Sequence, residues 1–468
     1  MSTLYLASEW LIRIAMLIYV PQRRTPASAR AWLLLIFFLP WLGVVLYALI
    51  GRAYLPRRRL EQQMRLAEVM QEMPKRYGED APAPRRESYD IVQAANLAYN
   101  RGSFEVCGGN AIELLDDYSG SLERLFADIE AARSSVHLLY YIFADDETGE
   151  RATALIEQAA LRGVACRVLL DSVGSRRALR RFAPRLRAAG VEVIALLPLQ
   201  FLRPGRARLD LRNHRKIAVI DGYIGYVGSQ NIVDATANRL RNEELVVRIA
   251  GPVVHQLQAV LLADRYQETP QPVADVSLFP KALPAGPSDA QVLPSGPGHQ
   301  DGNTQEVLVS LIYTARQRVV LTTPYFVPDA TLLAAMRALA ARGADVRLVL
   351  SSYSNKPVVQ FAQQSYFEDL LDAGVKIFLY KHAFLHAKHA TIDDDVAMIG
   401  SSNLDMRSFA LNSEVSLLVY DRDVVLRLRA IQERYLADSS VVTLEQWRRR
   451  SPARRWLQNM CRLTDTLI

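Results

Sequence analysis

The sequence predicts an α/β protein made of two copies of one unit, preceded by two N-terminal transmembrane helices. Three observations carry this. From Val136 onward, apolar strand-like runs alternate with amphipathic helical runs. The same order of elements, closing on the same polar motif, returns later in the chain. Ala31 to Ile50 is a run of twenty residues with no charge.

The chain has 468 residues, room for about three domains. Half of it is hydrophobic and 22% is charged, which excludes a disordered or collagen-like chain. A net charge of +7 points to an anionic partner, and nucleic acid and an acidic membrane surface both fit. Cys107, Cys166 and Cys461 are too few and too scattered for a disulfide scaffold or a cysteine metal site, and suit a reducing compartment.

The N-terminus comes first. Ala31–Ile50 reads AWLLLIFFLPWLGVVLYALI, a length that matches the ~30 Å hydrocarbon core of a bilayer. Pro40 and Gly43 are tolerable in a membrane helix. Leu4 to Val20 is shorter and holds Glu9 and Arg13, each costing about 2.5–3.5 kcal/mol at mid-bilayer. Their i,i+4 spacing lets them pair on one face. Ala27-Ser28-Ala29 has the form of a signal cleavage site, but no basic residue precedes the apolar run. The reading is a membrane anchor over 1–60 with two spans, then a basic juxtamembrane linker over 61–103. Arg52, Arg57, Arg58, Arg59 and Arg65 follow the second span, which puts that side in the cytoplasm. Arg23, Arg24 and Arg30, between the spans, pull the other way.

The body follows. Val136–Phe143 reads as a buried strand, Ala152–Arg162 as a helix closed by Gly163, and Cys166–Leu170 as the next strand. A basic helix to Ala189-Gly190 and a strand over Val191–Leu196 complete the series. Val319–Thr323, Leu332–Arg342 with Gly343, Val346–Leu350, a helix ending at Ala373-Gly374 and Val375–Tyr380 repeat it. The first half is placed at 104–268 and the second at 291–468. Between them, at 269–290, lies a proline-rich connection; proline at the density found from Glu268 to Asn303 does not suit regular structure.

The repeat is sharpest in a polar motif. His214-Arg215-Lys216 leads to Asp221 and then Gly228-Ser229-Gln230-Asn231; His386-Ala387-Lys388 leads to Asp393 and then Gly400-Ser401-Ser402-Asn403. Each is H-x-K-x-x-x-x-D with Gly, Ser and Asn at the same offsets. One copy is a weak signal; two inside a duplicated unit are a strong one. On a strand over 214–220, His214 and Lys216 share a face and Asp221 has the opposite parity. Asp221-Gly222 suits a hairpin turn. Lys, Ser and Asn from both copies make a two-sided cradle for phosphate oxygens. Two histidines on one phosphate divide the work: a neutral one attacks phosphorus, and a protonated one serves the leaving and entering alcohols. Histidine suits both tasks, its pKa being near ~6.5. Glu244 and Glu414, on apolar strands after the two histidines, are the candidates to orient the rings.

The paired motif resembles the phospholipase D superfamily, and within it the membrane-bound bacterial cardiolipin synthases. Ala31-Trp32-Leu33-Leu34 through Pro40, Gly43 and Gly51 resembles their membrane segment. Thr323-Pro324-Tyr325-Phe326-Val327-Pro328-Asp329, Phe384-Leu385-His386-Ala387-Lys388 and Gly400-Ser401-Ser402-Asn403-Leu404-Asp405-Met406-Arg407-Ser408 resemble their second-half signatures. The resemblance implies two phospholipase D-like α/β halves with the active site at their interface. It implies a catalytic set of His214, Lys216, Asp221, His386, Lys388 and Asp393, with Ser229, Asn231, Ser401 and Asn403 binding substrate and Glu244 and Glu414 orienting the histidines. It makes His214 the nucleophile and His386 the acid/base, although the symmetry of the motifs does not order them. Glu243 and Glu244 are adjacent; the distance to Gly251-Pro252 selects Glu244. The implied reaction joins two phosphatidylglycerols into cardiolipin and glycerol with no nucleotide, metal or other cofactor. The alternative is a phospholipase D that passes the phosphatidyl group to water; the membrane spans count against a nuclease, so no nucleic-acid partner is expected.

Other features have simpler readings. His382, His386 and His389 carry Lys388 among them, which argues against a bound cation. His137, His255 and His299 show no partners in the sequence. Tyr140, Tyr141, Tyr325 and Phe326 suit either lipid contact or core packing. Trp447-Arg448-Arg449-Arg450 to Arg454-Arg455-Trp456 is either a solvated basic helix or a segment held at an anionic bilayer. The charge is concentrated at the ends: residues 1–50 carry four Arg against one Glu, 51–86 nine basic against five acidic, and 447–468 six Arg against one Asp. The remainder is therefore net negative, and the anionic partner indicated is a bilayer, in a bacterial cell membrane, with the catalytic body in the cytoplasm.

Overall fold

A computed structural model describes residues 3–24, 26–51, 61, 89–198, 210–236, 240–269, 278–297 and 303–463. His299 and most of the expected linker lie outside the described residues.

The body is built on one continuous sheet of 16 strands. In the first half, Ser135–Tyr140, Ala165–Asp171 and Glu192–Leu196 run parallel, and Lys216–Ile220 pairs antiparallel with the first of them. In the second half, Arg318–Thr323, Asp345–Ser351 and Lys376–Tyr380 run parallel, with His389–Ile392 in the matching antiparallel place. Each series then continues through a return strand and a further antiparallel strand. The two series meet where Cys107–Leu115 pairs with Ser288–Ser295. The halves thus share a core: Leu139, Ile217 and Val247 belong to the same buried cluster as Val292, Val415 and Leu417.

Local chemistry explains the repetition. Asp146 caps the helix Glu147–Leu161 by accepting from the Gly149 amide, and Asp329 caps Ala330–Ala341 by accepting from the Leu332 amide. The two helices end at Gly163 (φ +89°) and Gly343 (φ +90°), whose left-handed conformation suits glycine at a helix C-terminus.

The structure differs from two expected boundaries. Residues 89–102 are not linker: the helix Tyr89–Gly102 buries Ile91, Ala94, Ala95 and Ala98 in the second-half core. That apolar spacing is helical. The second half begins at Ser288, before residue 291, and Pro294 sits inside its strand opposite Val415. Proline is tolerated there because its carbonyl takes the Asn303 Nδ2 at 2.6 Å, so its backbone polar groups face away from the paired strand.

The N-terminus forms three helices: α1 (Thr3–Tyr19), α2 (Pro26–Phe38) and α3 (Pro40–Ile50). The single span expected over 31–50 is divided. Pro40 has no amide to donate and restricts Leu39, which adopts φ −132° and ψ 73°. Among the described residues, no helix is long and apolar enough to cross a membrane. Trp32, Ile36 and Tyr47 are buried between the helices, with Trp32 and Tyr47 rings 5.2 Å apart.

The C-terminal segment packs on the body. Trp447 lies 4.9 Å from Phe367, and Arg450 and Arg455 pair with Glu368, so part of its charge is neutralised within the fold. Trp456, Met460 and Leu463 leave one apolar stripe exposed.

The motif aspartates hold the sheet together. Asp221 sits at φ +53° at the hairpin end of its strand, and its carboxylate accepts from the amides of Arg133, Ser134 and Ser135 at 2.7–2.9 Å. Asp393 accepts from Arg316, Gln317 and Arg318, each at 2.8 Å. Each staples the turn to the start of the neighbouring strand, at the opposite end from the histidine. Asp221→Ala leaves three amides without their acceptor and strains the turn. We expect it to lose about 2–4 kcal/mol of stability in urea unfolding while the folded fraction keeps its specific activity.

Candidate active site

Two short bridges between the halves build the site. Arg212 and Asn213 pair in parallel with Asn412 and Ser413. Asn242 and Glu243 pair in parallel with Phe384 and Leu385. The next position along each bridge brings His214 level with Glu414 and Glu244 level with His386. The ring contacts follow: His214 Nδ1 to Glu414 Oε2 is 2.9 Å, and His386 Nδ1 to Glu244 Oε1 is 2.7 Å. Each histidine is therefore oriented by the other half's carboxylate. Glu244 and Glu414, the candidates from the sequence, each meet the histidine of the opposite half.

The carboxylates are fixed from several sides. Asn412 Nδ2 donates to Glu414 Oε1 and Asn242 Nδ2 to Glu244 Oε1, both at 3.3 Å. Ser401 Oγ donates to Glu414 Oε2 at 2.6 Å. Ser229 Oγ accepts from the Leu245 amide at 3.0 Å and helps hold Glu244 ionised. The motif serines are fully buried and occupied in this way. Asn231 spends its Oδ1 on the Ile142 amide at 3.0 Å, leaving its NH2 as a donor. Asn403 is buried with no partner for Oδ1 among the described residues.

Lys216 and Lys388 are buried beside the rings, and each donates to the carbonyl of the histidine two residues earlier. The site thus holds two amines and two imidazoles against two carboxylates in low dielectric, and a bound anion would further stabilise the charged amines. Burial lowers Lys216 to about 8; burial and the Lys216 charge lower Lys388 to about 7. The histidines differ. Burial, then Lys216 and Lys388, push His214 well below its ordinary value. Burial also lowers His386, but the Glu244 charge works against it. Burial raises Glu414 to about 7, whereas for Glu244 the raising effect of burial is outweighed by His386 and Lys388.

Several contributors were not singled out in the sequence. Arg215, between the motif His and Lys, donates from Nε to the Glu414 carbonyl at 2.9 Å and pairs with buried Asp264. It anchors the strand that carries the orienting carboxylate. Asn242 and Asn412 were legible as a repeated N-x-E in Asn242-Glu243-Glu244 and Asn412-Ser413-Glu414, a spacing that also selects Glu244 over Glu243. Tyr141 lies 4.9 Å from the His214 ring and Phe384 5.7 Å from His386. Tyr140 and Phe326 are core residues, and Tyr325 directs its hydroxyl to Asn355 at 2.5 Å. The other histidines meet separate partners: His382 is exposed near Asp438, His389 packs on Tyr435, His137 contacts Gln258 and His255 lies against Phe279.

Crossed pairing has a spectroscopic consequence. In ¹⁵N-histidine NMR, Glu414→Gln is expected to shift the ring nitrogens of His214 and leave those of His386 in place; Glu244→Gln does the reverse. Pairing within each half would exchange the two results.

Comparison with known proteins agrees with this geometry. The family described as cardiolipin synthase, PLD-like domain, matches residues 125–264 and 308–436, one match in each half. The phospholipase D-nuclease N-terminal family matches residues 11–52. Cardiolipin synthase A of Pectobacterium atrosepticum is 34% identical over 96% of both chains, and that of Proteus mirabilis is 34% identical over 100% of both. Among solved structures, phosphatidylserine synthase of Haemophilus influenzae superimposes with a TM-score of 0.60 at 13% identity, covering 81% of this chain and 100% of that one, a likeness of fold. With both halves and the N-terminus matched, this chain belongs to the bacterial cardiolipin synthases of the phospholipase D superfamily.

Proposed function

We propose that the protein is a phosphatidyltransferase that joins two phosphatidylglycerols into cardiolipin and glycerol through a phosphohistidine. The crossed His–Glu pairs carry the reading. Each carboxylate holds its ring by Nδ1, which turns both Nε2 atoms away from the glutamates. With Lys216, Lys388, Asn231 and Asn403 holding the phosphate oxygens, a neutral His214 Nε2 attacks phosphorus. The bond from phosphorus to the headgroup glycerol breaks, and protonated His386 gives its proton to that oxygen. The terminal hydroxyl of a second phosphatidylglycerol then loses its proton to His386 and attacks the phosphohistidine. This forms cardiolipin, frees His214 and reprotonates His386. Bonds broken and formed balance, and no metal or nucleotide enters.

The electrostatics support this order of roles. His214, pressed by two ammonium groups, is kept neutral and so nucleophilic. His386, facing the ionised Glu244, is the better holder of a proton. The exposed apolar surface of residues 3–51, the phosphatidyl substrate and the basic ends support residence at the bacterial cell membrane, with the body on the cytoplasmic side.

Phosphatidylglycerol alone should yield cardiolipin and glycerol; phosphatidic acid as the sole lipid product would make the protein a hydrolase. With ³²P-labelled phosphatidylglycerol and an alkaline quench, the label should map to His214 and be absent from His214→Ala. Label on His386 would reverse the roles. His386→Asn should slow turnover by about 10²–10⁴-fold. The lysine values set the pH response. An amine is charged below its pKa, so kcat/KM should fall as pH rises through about 7–8, where Lys388 and then Lys216 lose their charge. A profile rising through that range would contradict the phosphate-binding role of the lysines.

A further inference from the structure

We infer that α2 and α3 form a re-entrant hairpin that enters one leaflet of an anionic bilayer and leaves by the same face. The Ile36–Gly43 and Trp32–Tyr47 contacts are each symmetric about Leu39–Pro40, as in a chain folded back on itself. A Cβ on Gly43 would come 2.8 Å from Ile36 Cα, so the arms meet at backbone distance where position 43 is glycine. The arms are 13 and 11 residues long. They rise about 20 and 16 Å, short of the ~30 Å core.

The polar groups fit this placement. A helix end inside hydrocarbon must have its carbonyls met by protein. At the tip, Arg13 Nε of α1 donates to the Phe37 carbonyl at 3.1 Å while pairing with Glu9 at 3.3 Å. Around the tip, Phe38, Leu39, Trp41 and Leu42 face outward, Phe38 being 77% exposed. The occupant that matches such a surface is lipid.

Charge decides the topology. A full span would put Arg23, Arg24 and Arg30 across the membrane from Arg52 and Arg57–Arg59. In the structure, Arg23 stacks on Tyr19, whose ring is 6.2 Å from Tyr47 near the end of α3, and Arg24 reaches Tyr47 as well. The loop after α1 therefore sits at the same base as Gly51, where the chain continues to the body. The loop arginines Arg23 and Arg24 thus face the headgroup layer from which the chain continues past Gly51.

The test uses the full chain in sealed inside-out membrane vesicles with a membrane-impermeant maleimide, the parent chain serving as blank. Arg24→Cys, Arg57→Cys and Leu161→Cys, the last an exposed marker on the body, should all label from the same side. Leu39→Cys should label only after detergent. Labelling of Arg24→Cys only after the vesicles are opened, with Leu161→Cys labelled before, would show a full span and overturn the inference. So would Leu39→Cys reacting as fast as Leu161→Cys, which would place the tip outside lipid.

Discussion

The structure depends on the register of two bridges, each two residue pairs long. Arg212–Asn213 against Asn412–Ser413, and Asn242–Glu243 against Phe384–Leu385, set each histidine opposite a glutamate from the other half. A slip of one residue in either would turn the histidine or the carboxylate to the opposite face. The large sheet exists around this constraint. Its central pairing, Cys107–Leu115 against Ser288–Ser295, fuses the halves into one rigid frame. Neither half can complete its own site, so duplication here is a condition of the chemistry.

The framing residues show how a short motif divides its labour. Histidine and lysine face the cavity. Serine and the N-x-E asparagine fix the carboxylate. Aspartate, at the far end of the strand, binds three amides of the neighbouring strand and sets the height at which the histidine emerges. The spacing in H-x-K-x-x-x-x-D is the length of one strand between its chemical end and its structural end. Arg215 fills the variable position in one copy with a buried clamp onto the Glu414 strand; the other copy has Ala387 there.

What the sequence made legible follows from which information is local. Strand and helix alternation, the closing glycines and the Asp221-Gly222 turn are encoded within a few residues, and the structure has them close to where they were expected. The motif histidines and lysines were found because they recur. The crossed Glu–His pairing was not legible, because it depends on contacts 142 and 200 residues apart. The helix Tyr89–Gly102 was read as linker because basic composition to its N-terminal side masked the spacing of Ile91, Ala94, Ala95 and Ala98. The break at Pro40 was visible, but its effect was not: whether proline bends a helix or reverses it depends on what packs across the bend. Here Gly43 lets Ile36 approach and Trp32 closes on Tyr47.

A symmetric frame can support the proposed asymmetric reaction because the surroundings of its two halves differ. Both histidines are bound by carboxylates and flanked by lysines, and burial disfavours charge on each. Glu244 remains ionised, held by Asn242 and Ser229 beside Lys388, and so favours a proton on His386. Glu414 is pushed up to about 7 by burial and gives His214 less support against the lysines. Lys356 adds its charge against His214, with Asp405 near it. In the proposed reaction this difference favours the proton on His386 and leaves His214 free to attack.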